Sequence, residues 1–186
     1  MDFLGNYLKN NNHNMDDVTN IVYISIMLSL FETIFEYLEN DNKQVFKNRL
    51  RKCKTPISER FVFEELFKKT INVHLEDYEF QWLVNLVNAY LRKSNDRKRI
   101  TEQIKSVILI KQDYKCIACH APIDKNKMQV DHYIPFKYVG DELQDNFVGL
   151  CEACNKSKGA NLLFLFKVFL IHKVTLKMPG LFEQSQ

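Results

Sequence analysis

Two Cys-x-x-Cys pairs, Cys116/Cys119 and Cys151/Cys154, constrain this 186-residue chain more than any other feature. Each such turn presents two sulfurs on one side, which is the arrangement a tetrahedral structural zinc ion takes up. Cys151 follows Cys119 by 32 positions, so an ion shared by both pairs would clamp the ends of a segment long enough for a hairpin. Four sulfurs leave such an ion no vacant position, and any chemistry is then expected from the residues between the pairs. Two disulfides are the alternative, with a redox Cys-x-x-Cys motif a lesser one. The opening carries Asp2 and a run of asparagines instead of a basic n-region and an apolar h-region. A reduced, cytoplasmic setting is therefore expected, and it favours metal over disulfide. Cys53, alone in a basic stretch, reads as a buried or inert thiol.

Between the pairs, Lys127-Met128-Gln129-Val130 reads as a short strand with Asp131 and His132 where it ends. Pro135 forces an extended turn, Gly140-Asp141 marks a loop, and Phe147 to Leu150 reads as the returning strand. A helix is expected to begin around Cys151 to Asn155. Phosphodiester hydrolysis needs an activated water, a group to take its proton, and positive charge against the phosphate and the departing oxygen. His132 suits the base, because an unperturbed imidazole of pKa ~6.5 is available in neutral form at neutral pH. Adjacent extended residues point to opposite sides, so Asp131 and His132 can contact different things. Oxygen donors on Asp131 and Asn155 suit a hard divalent cation, Mg²⁺ or Mn²⁺. Each residue also has a plainer reading: Asp131-His132 as a surface turn, Asn146 as turn chemistry, Asn155 as a helix-start residue.

Taken together, Asp131-His132, Asn146 and Asn155, with 14 and 23 positions separating His132 from the two asparagines, resemble the HNH endonuclease family. The likeness is to the four-cysteine zinc form within the His-Me finger, or ββα-metal, superfamily, and covers roughly 104–165. It implies a metal-dependent phosphodiester hydrolase acting on DNA, with RNA the alternative substrate, and 5′-phosphate and 3′-hydroxyl products. It further implies His132 as general base, Asp131 and Asn155 as ligands of the catalytic cation, and Asn146 as a brace for the loop carrying His132. Lys158, one helical turn after Asn155, is placed to reach a phosphate. Two departures stand out. The last motif position is Asn155 where His is usual, an HNN variant, and the glycine pair common after the motif proline is replaced by Phe136-Lys137-Tyr138-Val139-Gly140. A nuclease of this size resembles an antiviral or restriction effector, expected to work with an ATPase or sensor subunit. A zinc-stabilised nucleic-acid-binding module without catalysis is the competing reading.

The expected fold is mainly α: a helical N-terminal domain over 1–103, then an HNH nuclease domain over 104–186 with zinc knuckles and an apolar C-terminal helix. Apolar residues recur every three or four positions from about 16 to 110, where no glycine occurs and Pro56 is the only proline. Helices are predicted over 42–53, 56–70 with Thr55 as cap, 77–92 and 96–111. The polar segment from Asn10 to Asn14 is expected to be loose. The stripe through Ile21, Ile24, Leu28, Phe31, Phe35 and Leu38 reads as core. Asn20, Ser25, Ser29, Glu32 and Glu36 interrupt it, which argues against a membrane span. The net charge of +3 does not by itself demand nucleic acid. The cluster Arg92, Lys93, Arg97, Lys98 and Arg99, directly before the nuclease module, is the better candidate for phosphate contacts, and Lys47, Arg49, Arg51, Lys52 and Lys54 form a second. The acidic front from Asp16 to Asp41 suits a partner better than DNA. The run Leu162 to Ile171 is apolar except for Lys167, and it should dock on the N-terminal helices or form a homodimer or partner contact. No glycine-rich phosphate loop appears, so the chain is not expected to use ATP itself.

Overall fold

A computed structural model describes residues 17–177, with side chains from 18 to 172. The Asn-rich opening and His13 lie outside them. Helix α1, Asp17–Tyr37, runs into a π-helical turn, Leu38–Asn42, where the backbone leaves helical values at Asn40 (φ −79°, ψ 60°) and Asp41 (φ 63°). The Asn42 side-chain amide donates to the Tyr37 and Asn40 carbonyls, so the break leaves these acceptors satisfied. Helix α2, Lys43–Arg51, follows directly and is shorter at both ends than the apolar pattern suggests.

Helix α3, Pro56–Thr70, begins where its sequence dictates: Thr55 and Ser58 form a reciprocal capping box and Pro56 occupies the first turn. Glu76 and Glu79 open α4, Asp77–Arg92, in the same reciprocal manner. The next helix, α5, spans only Glu102–Lys111, with the Thr101 hydroxyl accepting from the Ile104 amide. The helical expectation from Asp96 therefore fails for its first turn and a half. The Thr101 cap, extended at φ −83° and ψ 163°, opens the helix later, and Lys98 ahead of it is drawn to the Asp141 carboxylate, which accepts from its amide at 2.7 Å.

The remainder is a hairpin and three helices. Strands β1, Gln129–His132, and β2, Phe147–Leu150, pair antiparallel, with Asp131 opposite Val148 and His132 opposite Phe147. The first strand lies two residues later than its β-rich pattern predicts, so Asp131 and His132 are inside the ladder instead of beyond it. Between the strands comes the short helix α6, Phe136–Val139, and after them α7, Glu152–Lys158, and α8, Phe164–Lys177. The architecture is mainly helical, with a helical N-terminal region and a ββα unit carrying the four clustered cysteines.

Two apolar clusters hold these parts. One joins Leu28, Phe31, Leu83 and Leu86 of the N-terminal helices to Ile134, Tyr138 and Val139 of the loop between the strands, and to Leu162 and Phe166. The other packs Ile108 and Leu109 of α5 against Val148, Leu150, Met128 and Leu165. Helix α8 feeds both, Phe166 into the first and Leu165 into the second; burying each such side chain contributes about 1.5–3 kcal/mol. By length and apolar composition alone, Val18–Arg51 would pass for a membrane-crossing helix. Here Met27, Leu28, Phe31, Ile34 and Leu38 are buried in the first cluster. Two acids of the front bond to buried phenols: Glu32 accepts from the Tyr138 hydroxyl and the exposed Glu39 from that of Tyr90. Burial first, and then these carboxylates, push both phenols well above their ordinary range.

Candidate active site and cysteine cluster

The first knuckle is shaped by its backbone. The Cys116 amide donates to Ala121 O, His120 N to Cys116 O, and Ile123 N to Tyr114 O, which folds Lys115 against Pro122. Gly149 ties this turn to the returning strand: its carbonyl accepts from the Ile117 amide and the Gln112 side chain, and its amide donates to Gln112. Leu150 then delivers Cys151 as the N-terminal cap of α7, with its sulfur accepting from the Cys154 amide. The four sulfurs consequently lie within 4.8 Å of one another, and Cys119 and Cys151 Sγ are 3.8 Å apart.

Zn–S bonds of about 2.3 Å in a tetrahedron require sulfurs about 3.8 Å apart, so the donor set fits zinc and is too open for a disulfide. Burial and the neighbouring thiols push the Cys154 thiol up. Burial also acts to raise Cys116, but amides of Cys119, Cys151 and Ala118 outweigh it and bring that thiol down to about 7. Four thiolates in one place need a cation, and zinc supplies one. His120 is exposed, its ring 4.7 Å from that of His172, whose Nε2 is 2.9 Å from Ala118 O. His172, which has no metal-spaced partner in the sequence, thus reaches the first knuckle only through the fold. Cys53 is half-buried, with its sulfur 3.5 Å from Arg49 O.

The imidazole of His132 lies in a slot between Phe147 and Phe136, ring centroids at 4.8 and 5.7 Å, and is 6% exposed. Its Nε2 is 2.8 Å from Asp141 Oδ1. Its Nδ1 is buried without a hydrogen-bond partner and stands 3.8 Å from Asp131 Oδ1. Neighbouring strand residues were expected to face apart, yet their side chains converge at the strand end. Asp131 Oδ2 receives the Lys158 ammonium at 2.6 Å. Burial raises the Asp131 carboxyl, but the neighbouring His132 and the paired Lys158 ammonium outweigh it and hold it at about 2.

Asn146 is buried behind the loop. Its Oδ1 accepts from the Ile134 amide and its Nδ2 donates to the Ile134 carbonyl, both at 2.9 Å, while its own carbonyl accepts from Tyr133 N. The side chain thereby occupies both polar groups of the peptide segment two residues after His132. Asn155 lies on α7 three positions before Lys158, on the face whose lysine meets Asp131.

The basic candidates behave differently from one another. Lys158, placed by its spacing to reach a phosphate, has a wholly buried side chain directed at Asp131. Lys93 donates to the Lys137 carbonyl, and the Lys98 ammonium to Asp141 O at 2.7 Å. The Arg97 guanidinium stacks 4.6 Å above the Phe136 ring, and Arg92 stands 3.9 Å from Glu142. Arg99 is exposed. In the second cluster, Lys47 donates to Leu91 O and Arg49 pairs with Glu65. Much of the first block therefore fastens the connecting segment onto the loop between the strands.

Asp141 is the residue that motif reasoning does not reach. In the sequence it follows a glycine and reads as ordinary turn chemistry. Gly140 does form that turn, at φ 59°, and a Cβ there would meet Lys93 Cβ at 3.0 Å.

Against protein-family models, residues 116–161 match HNH endonuclease. No curated protein and no solved structure matches the chain. An HNH endonuclease domain with a four-cysteine cluster suited to zinc therefore occupies this part of the protein.

Proposed function

We propose that this protein is a metal-dependent endonuclease that hydrolyses DNA phosphodiester bonds. The observation that carries the reading is the unpartnered Nδ1 of His132, held beside an ionised Asp131 within the HNH domain. His132 takes the proton of a water as that water's oxygen attacks phosphorus. The P–O3′ bond then breaks, leaving a 5′-phosphate, and the departing 3′ oxygen takes up a proton from solvent. Asp131 and Asn155 offer oxygens that suit Mg²⁺ or Mn²⁺, and Asp131 Oδ1 is the carboxylate oxygen that Lys158 does not engage. A cation there would supply positive charge toward the phosphate and the leaving oxygen. Zinc at Cys116, Cys119, Cys151 and Cys154 holds the hairpin and α7 in register. Arg97 and Arg99 contribute phosphate affinity beside the site. A role in antiviral defence or restriction, with an ATPase or sensor subunit as trigger, fits a nuclease that needs restraint.

One observation favours a second reading, a zinc-stabilised nucleic-acid-binding module without catalysis: Lys158 already neutralises Asp131. Plasmid DNA and single-stranded RNA incubated with wild type and His132→Ala, in EDTA, Mg²⁺ and Mn²⁺, decide between them. The nuclease reading expects cation-dependent cleavage by wild type and its loss in the variant, with zinc content and DNA affinity retained. DNA binding without cleavage under every cation refutes it.

A further inference from the structure

We infer that Asp141 is the positioning residue for His132, its carboxylate receiving the Nε2 proton and so fixing the tautomer whose Nδ1 lone pair faces Asp131. An ionised carboxylate only accepts hydrogen bonds, so the nitrogen 2.8 Å from Asp141 Oδ1 has to be the protonated one. The neutral ring then bears its lone pair on Nδ1, the one ring atom left without a hydrogen-bond partner. Phe136 and Phe147 confine the ring plane, and Asp141 sets its rotation within that slot.

Asp141 is itself fixed. Its side chain is 6% exposed, and its second oxygen accepts from the Lys98 amide at 2.7 Å, while its carbonyl accepts from the Lys98 ammonium at the same distance. Burial raises this carboxyl, but the Lys98 amide and the His132 ring outweigh it and keep it low, consistent with an anion at neutral pH. Lys98 lies outside the matched 116–161, so a segment contributed by the rest of the chain orients the imidazole. The positioning role has meaning for turnover only under the nucleolytic reading above, whereas the tautomer does not depend on it.

The test uses the zinc-loaded full chain labelled with [¹⁵N]histidine. Long-range ¹H–¹⁵N spectra at about pH 8, where an unperturbed imidazole is neutral, report the His132 tautomer, assigned by comparison with His132→Ala. Wild type is expected to show the Nε2–H form alone. In Asp141→Asn, whose amide can donate as well as accept, that form should give way to a mixture or to the Nδ1–H form. DNA cleavage by this variant should lose about 10²-fold in kcat with KM within about threefold. A wild-type Nδ1–H tautomer overturns the inference, and it does so even when the variant fails to fold. An unchanged ring state in folded Asp141→Asn overturns it too, whether or not kcat falls, as does unchanged kcat with an altered ring. A wild type that shows the Nε2–H form but cuts no nucleic acid leaves the tautomer assignment standing and removes the nuclease reading instead.

Discussion

Replacing Asn146 by alanine tests how the loop after His132 is held. The side chain is 2% exposed and makes both hydrogen bonds to the Ile134 peptide groups, which are themselves buried. Truncation leaves one buried N–H and one buried C=O without partners, at about 1–3 kcal/mol each. The sum is about 2–6 kcal/mol, and for a chain of this size each kcal/mol moves Tm by about 2–4 °C. A fall of roughly 4–24 °C is expected by differential scanning fluorimetry of the zinc-loaded protein. Hydrogen exchange should localise the loss, with the Ile134 amide exchanging faster while amides of α4 keep their protection. Asn146→Asp at neutral pH sets a buried carboxylate against the Ile134 carbonyl, so it should destabilise at least as much as alanine. A Tm within about 1 °C of wild type, or an Ile134 amide still protected, would refute the assignment of this bond pair as the brace.

Two further outcomes follow from the cysteine cluster and the buried ion pair. Cys119→Ala, or a strong zinc chelator, should unfold the hairpin and α7 while most helical ellipticity survives, because structural zinc contributes about 10 kcal/mol or more to such units. Atomic emission should give one zinc per chain; none, together with no free thiols at these positions, would show that the sulfurs are paired otherwise. Asp131 is held at about 2, below its ordinary value, so its contribution to stability is present above about pH 4 and is lost as pH falls toward 2. Lys158→Met should flatten that acid limb in divalent-free buffer and lower stability at neutral pH by about 3–5 kcal/mol, since it leaves the carboxylate without its partner. Denaturant midpoints across pH measure both effects, and an acid limb identical to wild type would count against the pair.

Legibility in the sequence varied by the range of the interaction. The knuckles, the returning strand, and the limits of α3 and α4 are written in local chemistry: cysteine spacing, β-branched and apolar runs, and the Thr55-Pro56 start. The Asp131-His132 pair and the two asparagines could be found by spacing. Asp96 to Thr101 stays outside the helix, because Thr101 supplies the cap that opens it and Lys98 is held by Asp141, 43 positions away in the sequence. The placement of β1 was missed for a similar reason, since pairing with Phe147 and Val148 extends the strand through two polar residues. Lys158 illustrates the limit at the site itself: its position on α7 was clear, but whether its ammonium meets solvent or Asp131 depends on how closely the helix packs on the strand.

By itself, then, the sequence determined the composition of the metal-suited cluster and the order of the ββα elements, because cysteine turns, strand runs and helix caps act over a few residues. Only the tertiary structure decided which neighbours the site residues have. The carboxylate at His132 Nε2, the ammonium at Asp131 and the Lys98 amide at Asp141 come from contacts between segments 9 to 43 residues apart. No local pattern encodes those contacts, because burial and two shared apolar clusters bring the segments together.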